Sequence, residues 1–235
     1  GSTVDVLTYL GEFTRNAISH GLTVQAQQSM VKIAPGIDVE HFLPTDASAL
    51  RKSLGLTEKK VIVSVGRLVH RKGQDRLIEA MPEILKTVSN AHLLLVGEGP
   101  HRDHLQKLIQ KHRLEGSVTL IGRIDYKDLP LYICVGDVFA MPSRSRLMGL
   151  EVEGLGIVYL EASACGLPVL AGNSGGAPDA VVQNETGLVV DGTNNKEIAD
   201  AAIELLTKVD LSKKMGTAGR QWIVEIGAGD LVWEF

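Results

Sequence analysis

The feature that most constrains this chain is a series of short, uninterrupted apolar runs: Val4–Leu10, Val31–Ala34, Val61–Val65, His92–Val96, Val118–Ile121, Val138–Met141, Pro168–Ala171 and Leu188–Val190. Most do not alternate apolar with polar residues. A strand covered on both faces needs apolar side chains on both, so such runs point to a parallel sheet sandwiched between helices. The stretches between them are patterned differently. Gln74–Val88, His101–Leu114, Asp128–Val135, Gly156–Cys165 and Glu197–Lys208 place apolar residues at three- and four-residue spacing, as an amphipathic helix does. In the first, Leu77, Ile78, Met81, Ile84, Leu85 and Val88 form one stripe. Alternation of the two patterns predicts an α/β fold, a Rossmann-like doubly wound parallel sheet.

Glycines agree with this order. Gly97, Gly122, Gly154 to Gly156 and Gly172 to Gly176 fall just after strand-like runs, at the sheet edge where such folds bind ligands. Pro35 to Ser53 reads as a connection, with a boundary near residues 25 to 30, and the apolar stretch from Trp222, interrupted by Gly227 and Gly229, fits no regular element. The 235 residues are 44% hydrophobic and 22% charged, ample for a buried core, and a net charge of −4 disfavours whole-molecule attraction to nucleic acid or anionic lipid. The only cysteines, Cys134 and Cys165, have neither CxxC nor zinc spacing, which makes a reducing cytoplasm the expected location. No apolar run is long enough to span a bilayer, and the start, Gly1-Ser2 without Met, reads as the interior of something longer.

Two segments concentrate chemistry. Gly66-Arg67-Leu68-Val69-His70-Arg71-Lys72-Gly73 follows a strand and precedes a helix, so Arg67 and Lys72 would stand where a departing diphosphate needs cations. The alternative is a solvated basic loop. Glu153 and Glu161 lie eight positions apart, the first in a Gly-rich loop and the second in the following helix. Between them, the amides of Leu155, Gly156 and Ile157 at the helix start would donate to phosphate oxygens, and Gly154 and Gly156 permit close approach. Chance spacing of two structural carboxylates is the alternative here.

Other motifs are weaker. Gly97-Glu98-Gly99 lacks the third glycine of a dinucleotide fingerprint and there is no P-loop. Gly172-Asn173-Ser174-Gly175-Gly176 matches a nucleophile elbow, but all seven His lie at or before His112, so no triad His follows Ser174. That leaves a ligand-approach loop or a plain turn. His101 and His104 make a poor metal pair, and no Asp-x-Asp is present to hold a divalent ion on a sugar nucleotide, so no metal or other cofactor is expected. Cys134 and Cys165 read as core residues.

Taken in order, Gly66-Arg67 with Lys72, Gly97-Glu98-Gly99, Ile121-Gly122-Arg123-Ile124, Asp137 to Ser143, and Glu153 to Ala162 resemble the donor half of glycosyltransferase family 4, over about Val31 to Arg220. Within it, Met141 to Arg146 and Gly149 to Ala164 are most similar to actinobacterial phosphatidylinositol monomannoside mannosyltransferases. The resemblance implies a retaining enzyme of the GT-B fold, two Rossmann-like domains facing across a cleft, with GDP-mannose as donor. It implies that Arg67 and Lys72 hold the diphosphate, Glu161 the ribose, Glu153 the transferred hexose, and the backbone of Gly66 and Ile124 the nucleotide and its base. Glu153, Arg67 and Lys72 would then carry the catalytic electrostatics, the leaving phosphate itself helping to deprotonate the acceptor.

By the same resemblance residues 1–25 are the last strand and helix of a missing acceptor domain, 26–220 the nucleotide-sugar domain and 221–235 an atypical tail. A lipid acceptor would be met only through the missing domain, and the full-length relative would sit peripherally at the inner face of the plasma membrane. The isolated chain is expected to bind donor without turnover, with self-association open. The alternatives are a non-catalytic or engineered module with a vestigial site and, from Gly97-Glu98-Gly99, a nicotinamide-binding oxidoreductase.

Overall fold

The computed structural model describes residues 5–33 and 36–229. Val4 and Ala34, at the ends of two expected strands, and residues 230–235 of the tail lie outside the described residues. The chain begins with Leu7–Tyr9 (β1), Glu12–Ser19 (α1), Val24–Gln28 (α2) and Met30–Lys32 (β2). β1 and β2 pair in parallel, Leu7 opposite Met30, so a boundary at residue 25 falls inside α2 and within one small unit.

Ser48–Ser53 (α3) then leads into the main body: Lys60–Val65 (β3), Gln74–Thr87 (α4), Ala91–Val96 (β4), Arg102–Lys111 (α5), Val118–Gly122 (β5), Leu129–Cys134 (α6), Val138–Met141 (β6), Ile157–Ala164 (α7), Val169–Gly172 (β7), Gly187–Val190 (β8), Asn195–Thr207 (α8) and Val209–Gly229 (α9). Six strands form one sheet in the order β5-β4-β3-β6-β7-β8, all paired in parallel. This is the doubly wound arrangement, and the order reverses between β3 and β6.

The sheet explains the uninterrupted apolar runs. Ile62, Leu93, Leu95, Val138, Ala140 and Leu170 pack on one face with α4, α5 and α8. Their neighbours Val61, Val63, Leu94, Phe139, Met141 and Val169 pack on the other with α6, α7 and α9. Successive side chains point to opposite faces, and here both faces are core.

Two parts of the sequence fold more regularly than their composition indicated. Within Pro35 to Ser53, residues 48 to 53 are helical, and Phe42 and Ala47 are buried in the second core layer. The glycines at 216, 219, 227 and 229 do not break the chain, because α9 runs unbroken to Gly229. A β-carbon at Gly216 would stand 2.0 Å from the Gly166 carbonyl, so this glycine lets α9 lie directly on the end of α7. That packing outweighs the ~0.5–1 kcal/mol by which a helical glycine is disfavoured.

Arg220 ties these parts together. Its guanidinium donates to the carbonyls of Val39 (3.1 Å), Phe42 (2.7 Å) and Ala164 (3.0 Å), joining α9 to the connection and to the last turn of α7. Replacement by Ala strands three acceptors, so Arg220→Ala is expected to cost about 2–3 kcal/mol. Urea denaturation checks this; a change under about 0.5 kcal/mol, the usual range of a surface substitution, would show that water replaces the guanidinium.

Candidate functional site

The reversal between β3 and β6 opens a crevice at their carboxyl ends, and the two loops that leave there carry the predicted residues. The β3–α4 loop supplies Gly66 to Gly73, and the β6–α7 loop supplies Pro142 to Gly156. Between them lies a cleft of about 470 Å³ lined by Gly66, Lys72, Glu153, Leu155, Gly156, Ile157 and Glu161, with Leu10, Val65, Leu129 and Val158. Seven side chains or backbone positions singled out from the sequence therefore meet in one place.

Lys72 and Glu153 face each other from the two loops at 2.7 Å, the carboxylate almost fully buried. Arg71 stands 3.9 Å from the same carboxylate and 3.9 Å from Glu151. Arg67 is exposed, and its guanidinium makes no ion pair or hydrogen bond with a described residue. Its planar fork is available to a ligand. Ile124 is not among the lining residues; its side chain packs against the second core layer just after β5.

α7 begins at Ile157 after Gly156 in the left-handed conformation (φ +77°). A β-carbon at Gly156 would meet the Tyr159 ring at 2.4 Å, while at Gly154 it would meet nothing within 4 Å. The first glycine thus shapes the helix start and the second leaves room above the loop. The amides of Leu155, Gly156 and Ile157 donate to no described backbone or side-chain acceptor, as the first turn of a helix requires.

Glu161 lines the cleft from α7, and burial pushes its carboxyl up to about 7, an effect that His41 only partly offsets. Among the described residues no group of three or more His, Cys, Asp or Glu side chains converges as a metal site. Cys134 and Cys165 are free thiols.

Residues that sequence reasoning missed hold the loops in place. Arg144 and Asp75, both almost fully buried, form a two-pronged ion pair at 2.9 and 2.6 Å between the β6–α7 loop and the first turn of α4. Burial raises the Asp75 carboxyl, but the hydrogen bonds and charge of Arg144 outweigh it and hold the group below its ordinary value. The Arg144 amide also donates to the Arg71 carbonyl at 2.8 Å, and its guanidinium to His70 Nδ1 at 2.6 Å. Burial and Arg144 together lower the His70 pKa, consistent with a neutral acceptor ring. Tyr159 donates to the Met141 carbonyl at 2.7 Å, pinning α7 to the end of β6. The Arg-x-Arg spacing of Arg144 and Arg146 was visible, but nothing local marks Asp75 as the partner.

The glycine motifs resolve as packing. A β-carbon at Gly97 would stand 2.0 Å from the Gly66 carbonyl, and one at Gly99 2.3 Å from that of Leu68, so Gly97-Glu98-Gly99 lets two βα loops touch. Gly175 and Gly176 likewise press on the carbonyls of Glu153 and Gly154. Ser174 is fully buried and accepts from the Glu153 amide at 3.2 Å. The Gly172 to Gly176 segment therefore supports the Glu153 loop from beneath.

A family model described as "Glycosyl transferases group 1" matches residues 46–222. A GDP-mannose-dependent alpha-(1-6)-phosphatidylinositol monomannoside mannosyltransferase of Mycobacterium tuberculosis (strain ATCC 25618 / H37Rv) is 45% identical over 225 residues, 95% of this chain and 58% of the relative. The chain thus spans rather more than half the length of that relative. Sucrose-phosphate synthase from Thermosynechococcus elongatus superposes with a TM-score of 0.81 at 29% identity, over 94% of this chain and 54% of that one. Anabaena HepE in complex with UDP and glucose gives 0.82 at 22% identity, over 95% and 61%. These likenesses agree in fold, the Rossmann-like half of a GT-B glycosyltransferase.

The raised Glu161 carboxyl has a stability consequence. The unfolded chain releases this proton near the ordinary 4.5 and the folded chain near 7, so folding is penalised increasingly as pH rises between them and fully above. Glu161→Gln is expected to be more stable than the parent by about 2 kcal/mol at pH 8, allowing for partial exposure, with the gap closing below about pH 4.5. Denaturant titration across pH reads this. A gap independent of pH would mean that the carboxyl is fully solvated.

Proposed function

Since the chain belongs to the group 1 glycosyl transferases, we propose that its cleft binds the nucleotide-sugar donor of a GDP-mannose-dependent, retaining mannosyltransferase acting on a phosphatidylinositol mannoside lipid. The observation that carries this reading is the meeting of Gly66, Lys72, Glu153, Glu161 and the free amides of α7 at the point where strand order reverses. The guanine donor and the lipid acceptor rest on the relatives' names, "GDP-mannose-dependent" and "phosphatidylinositol monomannoside mannosyltransferase".

In this reading the diphosphate lies over Gly66 and takes charge from Lys72 and Arg67. Lys72 exchanges part of its pairing with Glu153 for phosphate oxygens as charge develops on the leaving group. Glu153, released from that pairing, accepts from hydroxyls of the hexose. The amides of Leu155, Gly156 and Ile157 receive a phosphate or sugar oxygen at the positive end of α7. Glu161, ionised, accepts from the ribose hydroxyls, and hydrogen bonds made only by the charged form draw its proton off. The backbone after β5, at Ile124, meets the base.

These residues supply binding and electrostatic stabilisation, and none is asked to act as a nucleophile. Attack from the face that the leaving phosphate occupies lets that phosphate take the acceptor proton. Transfer also needs a second surface to orient the acceptor, because orientation contributes several kcal/mol of the barrier reduction. The resemblance puts that surface in a preceding domain. The 235 residues alone are therefore proposed to bind donor without turnover.

Calorimetric titration with GDP, GDP-mannose and UDP-glucose tests the reading. Saturable binding of the guanine ligands is expected, weakened at least tenfold, about 1.4 kcal/mol, in Arg67→Ala with an unchanged melting temperature. Equal affinity in parent and variant would remove Arg67 from the site. Absence of any nucleotide binding would favour a structural module whose motifs are ancestral.

A further inference from the structure

Glu153 meets two cations, and they meet it differently. Lys72 stands 2.7 Å from Oε2, whereas the Nε of Arg71 lies 3.9 Å from the same oxygen. Arg71 Nε and Glu153 Oε2 are both buried, and neither has a hydrogen-bond partner among the described residues. An N–H···O bond closes near about 2.9 Å, so this donor and this acceptor stand about 1 Å too far apart. A buried polar atom without a partner is uncommon, and here two of them share one short gap.

Nothing else holds this guanidinium closely. Its other ion contact, from Nη1 to Glu151, is also 3.9 Å, and Glu151 is already paired with Arg146 at 2.8 Å. The backbone beneath it is fixed, because the Arg71 carbonyl accepts from the Arg144 amide at 2.8 Å, beside the buried Arg144–Asp75 pair. A long side chain anchored at its backbone and loosely held at its tip can close a gap of about 1 Å through its own torsions.

We propose that Arg71 is a positioning residue for the transferred hexose, taking Glu153 over from Lys72 when that lysine turns to the donor's diphosphate. Without a successor, the departure of Lys72 would strand a carboxylate that is almost fully buried. Among the described residues Arg71 is the other cation in reach of it, at 3.9 Å. With its Nε–H on Oε2, the guanidinium fixes the carboxylate and leaves Oε1 to accept from hexose hydroxyls. Dividing the work between two adjacent residues ties recognition of the sugar to engagement of the diphosphate, because Arg71 closes on Glu153 only as Lys72 leaves it. The proposal rests on the preceding reading for the identity of the ligand. The exchange of counter-ions is a property of the three side chains themselves.

Two measurements test it. The first needs no ligand: urea denaturation at pH 8 of Lys72→Met, which imitates the departure of the lysine, of Arg71→Gln, and of the double variant. Each cation covers for the loss of the other, so the double variant is expected to lose at least about fivefold more in folding equilibrium constant than the two single losses multiplied together. Glu153→Gln should remove that excess. Independent losses would overturn the proposal. The second is calorimetric titration with GDP and GDP-mannose, in which Arg71→Gln should weaken GDP-mannose at least about tenfold and GDP less than about threefold, with Arg71→Lys restoring part of the difference. Equal losses for the two ligands would overturn the proposal by placing Arg71 on the diphosphate, and so would no loss for either. A parent that binds neither ligand sinks the donor reading and leaves the denaturation cycle to decide the exchange; a double variant that does not fold leaves the titration to decide it.

Discussion

The buried pair between Arg144 and Asp75 is the interaction on which the site depends. It joins the loop after β6 to the first turn of α4, next to the loop after β3, and both loops leave the sheet where its strand order turns around. Parallel pairing brings these strand ends together but says nothing about the loops beyond them. A guanidinium with both nitrogens on one carboxylate, and its backbone amide on the Arg71 carbonyl, sets their separation. Removing one partner of so buried a pair strands a charge, typically at 3–5 kcal/mol, so the geometry is stiff against small displacements. The Lys72–Glu153 contact at 2.7 Å spans the same two loops.

One group that lines the cleft does not favour folding. Glu161 lines the cleft where burial opposes its charge. Lys72 and Glu153 pair with each other there at 2.7 Å. Stability for this arrangement comes from the surroundings: two apolar layers on the sheet, the Tyr159 hydroxyl on the end of β6, and Arg220 across three carbonyls. Glycines do the rest by letting backbones touch. At Gly97, Gly99, Gly175 and Gly176 the neighbour that a β-carbon would strike is another loop of this same edge.

The fold was largely legible, for a reason visible in β3, β4 and β6. Both faces of these strands are core, so their residues had to be apolar without interruption, and helices had to be amphipathic to cover them. What went unread was short or conditional. α3 has six residues and little apolar stripe, and it exists because Phe42 and Ala47 beside it find the core. Gly227 and Gly229 read as a break, yet α9 runs unbroken to Gly229, with Gly216 seated against the Gly166 carbonyl.

By itself, then, the sequence determined the α/β alternation, the ligand-binding edge, and the residue types gathered there, because apolar periodicity and strand-to-helix glycines are local properties. Arg67, Lys72, Glu153 and Glu161 were visible as a pattern of charge and spacing. Only the tertiary structure decided that Lys72 meets Glu153, that Arg144 meets Asp75, that Ser174 is a buried prop, and that Leu147, Met148 and Leu150 stand in solvent. Each of these joins or separates residues distant along the chain. Their meeting depends on how strands are ordered in the sheet, and strand order is settled by the packing of the whole domain.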